Sequence, residues 1–338
     1  MTTTRRTLRY KVLMVVMLVV VVAWCVLWFT AATVVDRHAE KAEKIVRRHG
    51  ALAECVNRSI RGFPFSLELR CDSGSRVGNH SATLTLDGLV AAALIYQPSR
   101  LIVEVRGPVT LSAPNVPSLV ADWTLAHAST RLDLAERAMS RFDVEIKEGE
   151  ISAGARPLAS FHELDLNTRR HPTEVDDLDV AVHFDGLAPL PGMEPVDLKV
   201  QGILKDGAAL LSTGAEPRMK EYAADGMTFD VQSMLLTSGE LLVEARGALT
   251  LGANGRLNGD LDVAFAGYQS DLPYLDAVSA QASETVSRLL TNVLAFAKTT
   301  TVEGRDAKSL AVTIKNGRVS AGIVPLFTIP AIRMPTVY

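Results

Sequence analysis

The chain has 338 residues, enough for one large domain or two small ones beyond any membrane segment. Its formal net charge is −3, from 35 Lys and Arg and 38 Asp and Glu residues, which excludes the broad basic surface of a nucleic-acid-binding protein. Aromatic residues are few and Gly and Pro are scattered, a composition typical of short strands and turns rather than of a helical bundle.

An almost unbroken apolar run, Val12–Val35, contains no charged residue. At 1.5 Å per residue it forms a helix of about 36 Å, longer than the roughly 30 Å hydrocarbon core of a bilayer. Basic residues and no acidic residue precede the run, so the positive-inside rule predicts a cytoplasmic N-terminus. We therefore predict a basic cytoplasmic tail over 1–11 and a transmembrane helix over 12–35, with the rest of the chain beyond the membrane.

A cleaved signal peptide is the alternative for residues 1–35. The apolar run exceeds the usual h-region of about 7–15 residues, and no clean small-residue cleavage site follows it. Trp24, Trp28 and Phe29 gather near its outer end, where membrane-interface aromatic residues lie. These observations favour an uncleaved anchor, in which Cys25 is a small buried apolar residue.

The helical pattern continues beyond the apolar run, over residues 36–50. Glu40 and Lys44 form a favourable i, i+4 pair, and Gly50 suits a C-cap position. We predict a juxtamembrane helix over 36–50 that extends the anchor as a short stalk with a solvated charged face.

Cys55 and Cys71 lie on the exported side, where disulfides persist. If Gly62–Pro64 is a three-residue hairpin loop, the resulting register places Arg58 opposite Glu68 and Cys55 opposite Cys71. A bridge that closes a loop of this length contributes about 3 kcal/mol in the chain-entropy model. We predict this disulfide; two free thiols are the alternative.

The segment Gly62-Phe63-Pro64-Phe65 is the densest aromatic feature after the anchor. In one interpretation it is a hairpin tip that docks on a partner or on lipid. In the other it is a structured turn with both phenyl rings in the core. The neighbouring disulfide argues for a fixed element, so we favour the core for Phe63 and Phe65.

Beyond residue 51 the hydrophobic period switches to two, and two glycine turns have clear hairpin registers. An Asn316-Gly317 type I′ turn and a three-residue loop, Ala253–Gly255, each place apolar residues opposite one another on one face. The predicted pairs are Ile314–Val319, Val312–Ala321, Leu310–Ile323, Leu251–Leu257, Ala245–Val263 and Val243–Phe265.

Two further glycines fit hairpin turns in the same way. A turn at Glu148-Gly149 would pair Ile146 with Ile151, and a turn at Asp87-Gly88 would pair Leu86 with Leu89. All four hairpins are apolar on one side, which predicts an antiparallel sheet with one covered face and one wet face.

A long amphipathic helix is predicted from about Leu272 to Lys298, with Pro273 in its first turn. The most economical role for its apolar stripe is packing against the sheet, and the functional alternative is a lid over an apolar groove. The stripe residues are Leu275, Val278, Ala282, Val286, Leu289, Leu290, Val293 and Phe296.

The common catalytic signatures are missing from the sequence: it contains no G-x-S-x-G elbow, P-loop, dinucleotide fingerprint or H-E-x-x-H motif. The histidines are dispersed, and the best metal candidate is His162 and His171 with neighbouring carboxylates, which are more often simply solvated. We predict no catalytic residue, no cofactor and no metal, and a protein that is not an enzyme. The neighbouring carboxylates are Glu163, Asp165, Asp176, Asp177 and Asp179.

Several motifs along the chain carry a resemblance to a known family. They are the N-terminal anchor, the GFPF motif (62–65) before Cys71, residues 95–100 and 104–108, Trp123, Ala128-Ser129, and the closing segments 315–319 and 323–326. This layout resembles the DUF2125 family of alphaproteobacterial envelope proteins. The resemblance implies an inner-membrane anchor and a periplasmic domain, and it implies no activity and no catalytic residues.

The chain has a weaker architectural likeness to AsmA-like proteins. These also have an N-terminal inner-membrane helix followed by antiparallel sheet with G-x-L-x-L hairpins, here Gly247–Leu251. In that group the sheet curls into a trough with an apolar lining that is associated with lipid handling, so this likeness is a fold-level analogy.

The sequence thus predicts a mainly β protein with some α. A single transmembrane helix precedes an elongated, curved antiparallel sheet domain over 51–338 that carries one long amphipathic helix. We expect a non-enzymatic inner-membrane protein of envelope maintenance that binds lipid or another apolar ligand on the covered face of the sheet. The alternatives are an anchored scaffold that recruits envelope proteins without a ligand, and a hydrolase with an unrecognised site.

Overall fold

The computed structural model describes residues 3–48, 52–79, 82–114, 116–133, 138–188, 194–211, 226–267 and 297–332. The protein is mainly β, with one long N-terminal helix followed by a large antiparallel sheet, as the sequence predicts. Residues 268–296, which contain the stripe of the predicted amphipathic helix, lie outside the described residues, and so does Gly50.

The helix α1 spans Thr3–Arg48 without interruption. Its apolar stretch is long and apolar enough to cross a membrane, and most of the side chains in that stretch are exposed. The predicted tail, transmembrane helix and juxtamembrane helix are therefore parts of one element. The physical reason is that residues 3–48 contain neither Gly nor Pro, so nothing in this segment ends a helix.

The chain separates into two compact units, residues 1–120 and 121–338, where the sequence predicts one domain over 51–338. The boundary falls in a short strand, β5 (Leu119–Asp122). Pro114 and Pro117 precede this strand, and prolines cannot donate to a sheet ladder, which explains an interruption at this place.

In the first unit, strands β1 to β4 pair antiparallel in chain order. The predicted turn at Asp87-Gly88 is wrong, because both residues lie inside β3, where Leu86 pairs with Val109. The side chain of Arg106 covers Gly88 at a bulge, so this glycine makes room for a side chain rather than for a turn. The strands are β1 (Leu52–Arg61), β2 (Ser66–Gly78), β3 (Thr83–Leu94) and β4 (Gln97–Ser112).

In the second unit, strands β6 to β13 also pair antiparallel in chain order. Strand β15 pairs with β13 along one edge and with β14 and β16 along the other, and β16 pairs with β17. The first six strands are β6 (Leu125–Asp133), β7 (Ala138–Ala153), β8 (Arg156–Arg170), β9 (Leu178–Leu187), β10 (Val196–Leu204) and β11 (Met227–Ser238). The others are β12 (Leu241–Leu251), β13 (Leu257–Ala266), β14 (Lys298–Val302), β15 (Arg305–Lys315), β16 (Arg318–Ala321) and β17 (Val324–Thr328).

The two hairpins with clear registers are confirmed, with one exception. All three pairs predicted around Ala253–Gly255 are present, and so are Ile314–Val319 and Val312–Ala321. The Leu310–Ile323 pair is wrong, because the chain turns again at Gly322, which has a positive φ of 56°. Leu310 pairs with Val263 instead, and Ile323 lies at the turn with 99% of its surface exposed.

The predicted turn at Glu148-Gly149 is wrong, because β7 continues through it as far as Ala153. Ile146 pairs with Leu164 of the next strand rather than with Ile151. Gly149 lies opposite Phe161, whose ring occupies the space in which a Cβ atom would stand. Glycine is required here for close packing across the strand pair.

The second unit contains two small clusters of tightly buried side chains. One contains Ala245, Val263, Val312, Ile314 and Val319, and the other contains Leu242, Ala266, Val302 and Ala307. Val263 and Ala266 are three residues apart on β13, so by strand alternation the clusters lie on opposite faces of the sheet. Most of these side chains are small, so each cluster stabilises only its own few strands.

Candidate functional site

The β1–β2 hairpin carries a disulfide between Cys55 and Cys71, with Cα atoms 5.1 Å apart. The predicted pairing of the cysteines is correct, but the predicted three-residue loop is wrong, because Arg61 pairs with Glu68. Register shifts on both sides of Val56 compensate for the longer loop. These shifts bring the two cysteines together although the register next to the loop differs from the predicted one.

The predicted Arg58–Glu68 pair is wrong as well. Nε of Arg58 lies 2.8 Å from Oδ1 of Asp36, and its Nη1 lies 3.0 Å from Oε1 of Glu43. The hydrogen bond to Asp36 raises the pKa of the largely buried Arg58 guanidinium, which stays charged. Glu68 contacts Arg70 instead, at 2.7 Å. A largely buried cation of β1 thus binds two carboxylates of α1.

Two tryptophans of α1 also bind the hairpin. Nε1 of Trp24 donates to the carbonyl oxygen of Pro64 at 2.9 Å, and Nε1 of Trp28 donates to that of Ser66 at 2.8 Å. Only 6% of the surface of Trp28 is exposed. The hairpin thus covers the indole of Trp28, and the membrane-interface position that the sequence predicts for both tryptophans stays a prediction.

Phe63 and Phe65 are exposed, so the interpretation that places their rings in the core is wrong. Phe63 contacts the ring of Trp28 edge-on at 5.4 Å and stacks on Phe29 at 6.0 Å, yet 51% of its surface is exposed. For Phe65 the exposed fraction is 62%. The physical reason is that a hairpin loop lies beyond the ends of its strands, where the sheet offers little surface to cover a ring.

The contact between the anchor helix and the hairpin loop is not among the features predicted from the sequence, although a match of two lengths in the sequence could have revealed it. Twelve residues of helix separate Trp24 from Asp36, about 18 Å at 1.5 Å per residue. Pro64 follows Arg58 by six residues, a distance of up to about 20 Å if this segment is extended at 3.3 Å per residue. If Arg58 pairs with Asp36, these matching lengths place the loop beside Trp24.

In the second unit the strand register builds a continuous apolar surface, which we call the apolar face. From β7 to β13, each strand contributes two apolar residues that lie directly opposite apolar residues of the next strand. Each row crosses seven strands that are about 4.8 Å apart, so it is about 29 Å long. Most of its side chains are only half-buried. The first row is Ile146, Leu164, Phe184, Leu198, Leu236, Val243 and Phe265, and the second is Val144, Leu166, Val182, Val200, Met234, Ala245 and Val263.

The opposite side of the same strands carries a charged row. His127, Glu145, Asp165 and His183 lie opposite one another across β6 to β9. Nε2 of His127 is 3.2 Å from Oε2 of Glu145, and Nδ1 of His183 is 3.7 Å from Oδ2 of Asp165. This side therefore has the polar character expected of a wet sheet face.

The carboxylates of Glu145 and Asp165 in this row lie close to that of Glu163 on β8. One oxygen atom of each of the three lies within 4.8 Å of the others. Nζ of Lys147 lies 2.7 Å from Glu145 and 3.3 Å from Glu163, so an ammonium group already provides a positive charge for the cluster. Burial raises the pKa of Asp165, and the negative charges of Glu163 and Glu145 raise it further. The arrangement is that of an ion-pair network in which Asp165 carries the least favourable charge.

Asp165→Asn is expected to raise the melting temperature at neutral pH. A raised folded-state pKa contributes stability below the unfolded value of about 3.9, and this stability is lost as the pH rises through the folded pKa. The difference in melting temperature between the variant and the wild type should therefore shrink as the pH falls and Asp165 of the wild type becomes protonated. Thermal unfolding across this pH range tests it, with Asp143→Asn as the control, because Asp143 is paired with Arg141 at 2.7 Å and should show no gain.

The two histidines proposed from the sequence as metal candidates are not brought together. His162 is exposed and lies 3.4 Å from Glu148, whereas Nδ1 of His171 accepts hydrogen bonds from the backbone N–H groups of Thr173 and Glu174. Nε2 of His171 is 3.8 Å from Asp179, beyond hydrogen-bond distance.

His171 and Asp179 line an open polar pocket that extends from β7 to β11, and this pocket bears on the hydrolase alternative. The carboxylates in the lining are held by arginines: Asp179 by Arg169 at 2.9 Å and Asp143 by Arg141. The alcohol in the lining, that of Thr168, donates to the carbonyl oxygen of Phe142. The hydroxyl of Thr173 lies 3.2 Å from Nδ1 of His171, but Thr173 is not among the residues that line the pocket. Within the described residues the lining itself therefore does not pair a hydroxyl with a histidine, as nucleophilic catalysis by serine or threonine does.

Comparison with known proteins gives one informative result. No curated protein and no solved structure matches the chain, so the likeness to AsmA-like proteins is not confirmed. The model of a family described as "Uncharacterized protein conserved in bacteria (DUF2125)" matches residues 28–330, from Trp28 in α1 to the segment after β17, and the chain therefore belongs to the DUF2125 family.

Proposed function

We propose that the protein is a non-enzymatic component of the bacterial envelope, anchored in the inner membrane by α1, that holds a lipid acyl chain or a similarly apolar ligand on its apolar face. The observation that carries the proposal is the register of β7 to β13, which aligns apolar side chains in two unbroken rows. Contiguous apolar surface that is not fully buried marks an interaction site in most soluble domains.

The location rests on two independent features. The apolar stretch of α1 follows a basic, acid-free N-terminal segment, which supports a cytoplasmic N-terminus and a periplasmic domain. The Cys55–Cys71 disulfide supports the same side of the membrane, because disulfides persist in the periplasm and are rare in the cytosol. A domain tethered beside a bilayer meets acyl chains at high local concentration, which favours lipid over a soluble metabolite.

The chemistry of the apolar face also favours a hydrocarbon ligand. Its rows contain aliphatic residues, Phe184, Phe265 and Met234, and no charged side chain. Such a surface offers van der Waals contact without directional hydrogen bonds, which suits a flexible chain more than a polar metabolite. The charged row on the other side of β6 to β9 keeps that side in water.

Val182→Glu is expected to lower the amount of lipid bound to the purified protein about tenfold or more. The reason is that a carboxylate among apolar side chains costs several kcal/mol when a hydrocarbon chain covers it. Val182 lies in the middle of the second row, between Leu166 and Val200. The measurement is native mass spectrometry and lipid extraction of the full-length protein released in detergent.

The matched control is Ala181→Glu, the preceding residue of β9, which faces the polar side between Asn167 and Gln201. Both variants retain α1, so lipid bound around the anchor is the same in the two proteins. Equal lipid in both variants would contradict the proposal. A photoactivatable residue at Val182 adds a second test, because in the folded protein it should crosslink to lipid far more than the same residue at Ala181.

A second candidate function, an anchored scaffold that recruits envelope proteins, is favoured by the last described strand. β17 carries an exposed Phe327, and Ile323 is exposed at the turn before it. A strand that carries exposed apolar side chains suits the addition of a strand from a partner protein. Crosslinking at Phe327 that yields a stable protein partner, together with a lipid-free apolar face, would favour this function over the first.

A further inference from the structure

The contacts between α1 and β1 fix how deep the hairpin loop lies along the anchor. Arg47 of α1 contacts the carbonyl oxygen of Ala53, Asp36 contacts Arg58, and Trp24 contacts Pro64. The strand therefore runs back along the helix, in the direction of the N-terminus. The loop is level with Trp24, about 18 Å below the Asp36–Arg58 pair at the helix rise of 1.5 Å per residue.

This depth lies inside the apolar part of the helix. Asp36 is the first charged residue after the run that begins at Val12, so the outer edge of the hydrocarbon core lies at or somewhat below the level of Asp36. The run exceeds a 30 Å core by about 6 Å. Even if all of this excess lies on the outer side, the loop is about 12 Å inside the edge.

The side chains at this end of the first unit suit lipid. Residues 62–67, Gly-Phe-Pro-Phe-Ser-Leu, contain no charge. The backbone N–H of Ile95 donates to the carbonyl oxygen of Phe65, which places the β3–β4 turn beside the loop. Tyr96 in that turn is 68% exposed. Three exposed aromatic rings, those of Phe63, Phe65 and Tyr96, thus lie together at the end of the hairpins.

The backbone of the loop is also prepared for an environment without water, in which each unpaired polar group costs several kcal/mol. The carbonyl oxygen of Gly62 accepts hydrogen bonds from the N–H groups of Phe65 and Ser66. The carbonyl oxygens of Pro64 and Ser66 accept the two indole N–H groups of α1. In the loop itself, proline at position 64 has no N–H group to satisfy.

Cationic side chains flank the aromatic end on the strands that lead away from it. Arg61 is the last residue of β1 and Arg100 is near the start of β4, and both are exposed. Long cationic side chains at this position reach toward phosphate groups while their stems cover apolar surface. The pattern of aromatic rings with arginines behind them is that of a membrane-inserted tip.

We propose that residues 62–66 and Tyr96 insert into the outer leaflet of the membrane that α1 crosses, as a second membrane contact beside the anchor. The inference rests on α1 as a membrane span, as proposed above, and is independent of a ligand on the apolar face. The occupant of this surface is bilayer lipid, because the tip is bound side by side to a helix whose exposed residues at the same level are apolar. The inserted tip holds β1 to β4 at the membrane surface in one orientation.

The experiment uses the full chain in vesicles of phosphatidylethanolamine and phosphatidylglycerol. An environment-sensitive fluorophore is attached to Phe65→Cys in a Cys25→Ser background, in which Cys55 and Cys71 are oxidised and unreactive. We expect a blue-shifted emission and loss of most of the intensity when the vesicles contain lipid with a doxyl group on the acyl chain. Because Phe65 is exposed, its replacement should leave the fold intact.

Two further labelled positions separate the outcomes. Ser73→Cys is exposed on β2, about 23 Å from the start of that strand, and should show neither shift nor quenching. Leu18→Cys in α1 should be quenched if α1 crosses the membrane. Quenching at Leu18 with water-like emission at Phe65 overturns the inference alone, whereas water-like emission at Leu18 overturns the membrane anchor and the inference with it.

Discussion

Replacement of both Cys55 and Cys71 by serine is expected to lower the free energy of unfolding by about 3 kcal/mol, the loop-closure entropy for a bridge of this span. The sequence separation is 16 residues, and the bridge ties β1 to β2 where register shifts flank Val56. Without it, the unfolded chain gains freedom and the shifted register loses its covalent support. Denaturant unfolding of the full-length protein in detergent measures the difference.

The matched control is Cys25→Ser, which removes the free cysteine of α1 and should leave the free energy of unfolding unchanged. Reductant should destabilise the wild type and the control by the same amount and have no effect on the double variant. A wild type that is insensitive to reductant, or a double variant as stable as the wild type, would contradict the expected role of the bridge.

The turn predictions show how far local sequence determines this fold. Asn316-Gly317 and Gly255 were predicted correctly as turn residues, and all three have positive φ angles, as turns at these places require. Gly88 and Gly149 have the same local pattern but lie inside strands. Their reason for being glycine is a side chain from another strand, Arg106 and Phe161 respectively, which a local pattern cannot reveal.

The candidate site was predicted in parts, and the missing step was long-range alignment. The disulfide was predicted from an incorrect register, because bulges beside Val56 offset the error in the loop. The aromatic residues of the anchor and of the loop were each identified, but their contact depends on β1 lying along α1. That alignment is fixed by the Arg58 ion pairs, which a hairpin register alone assigns to the wrong partner.

The apolar face illustrates the same limit on a larger scale. The pairs predicted around Ala253–Gly255 are correct and lie within it, so the one-sided pattern of the sheet could be predicted. Its continuity across β7 to β13 could not. The sheet has bulges between Gln201 and Gly202 and between Val231 and Met234, and each bulge resets which residues face each other. The two rows stay aligned because neither bulge separates them. On β10 both rows precede the bulge at Gln201, and on β11 both follow the bulge that ends at Met234.

Phe161→Ala is expected to lower the free energy of unfolding by about 3–4 kcal/mol, in the range for a buried phenylalanine. The ring is 9% exposed, covers Gly149 across the β7–β8 pair and contacts Phe184 edge-on at 6.0 Å. Gly149→Ala should cost about 1–3 kcal/mol for the opposite reason, because its Cβ atom overlaps the same ring. Denaturant unfolding of the full-length protein measures both, and Phe65→Ala, which truncates an exposed ring, is the control that should change little.

The double variant decides whether the two effects share one cause. If Gly149 exists to make room for Phe161, truncation of the ring leaves space for the alanine methyl group. The Gly149→Ala/Phe161→Ala protein should then lose clearly less stability than the sum of the two single variants, as expected for residues in direct contact. Additive losses would mean that Gly149 is needed for its backbone conformation beside Glu148, which has a positive φ of 50°. In that case the packing of Phe161 against Gly149 is a consequence of the strand conformation, since the β7–β8 register is unbroken from Arg141 to Ile151.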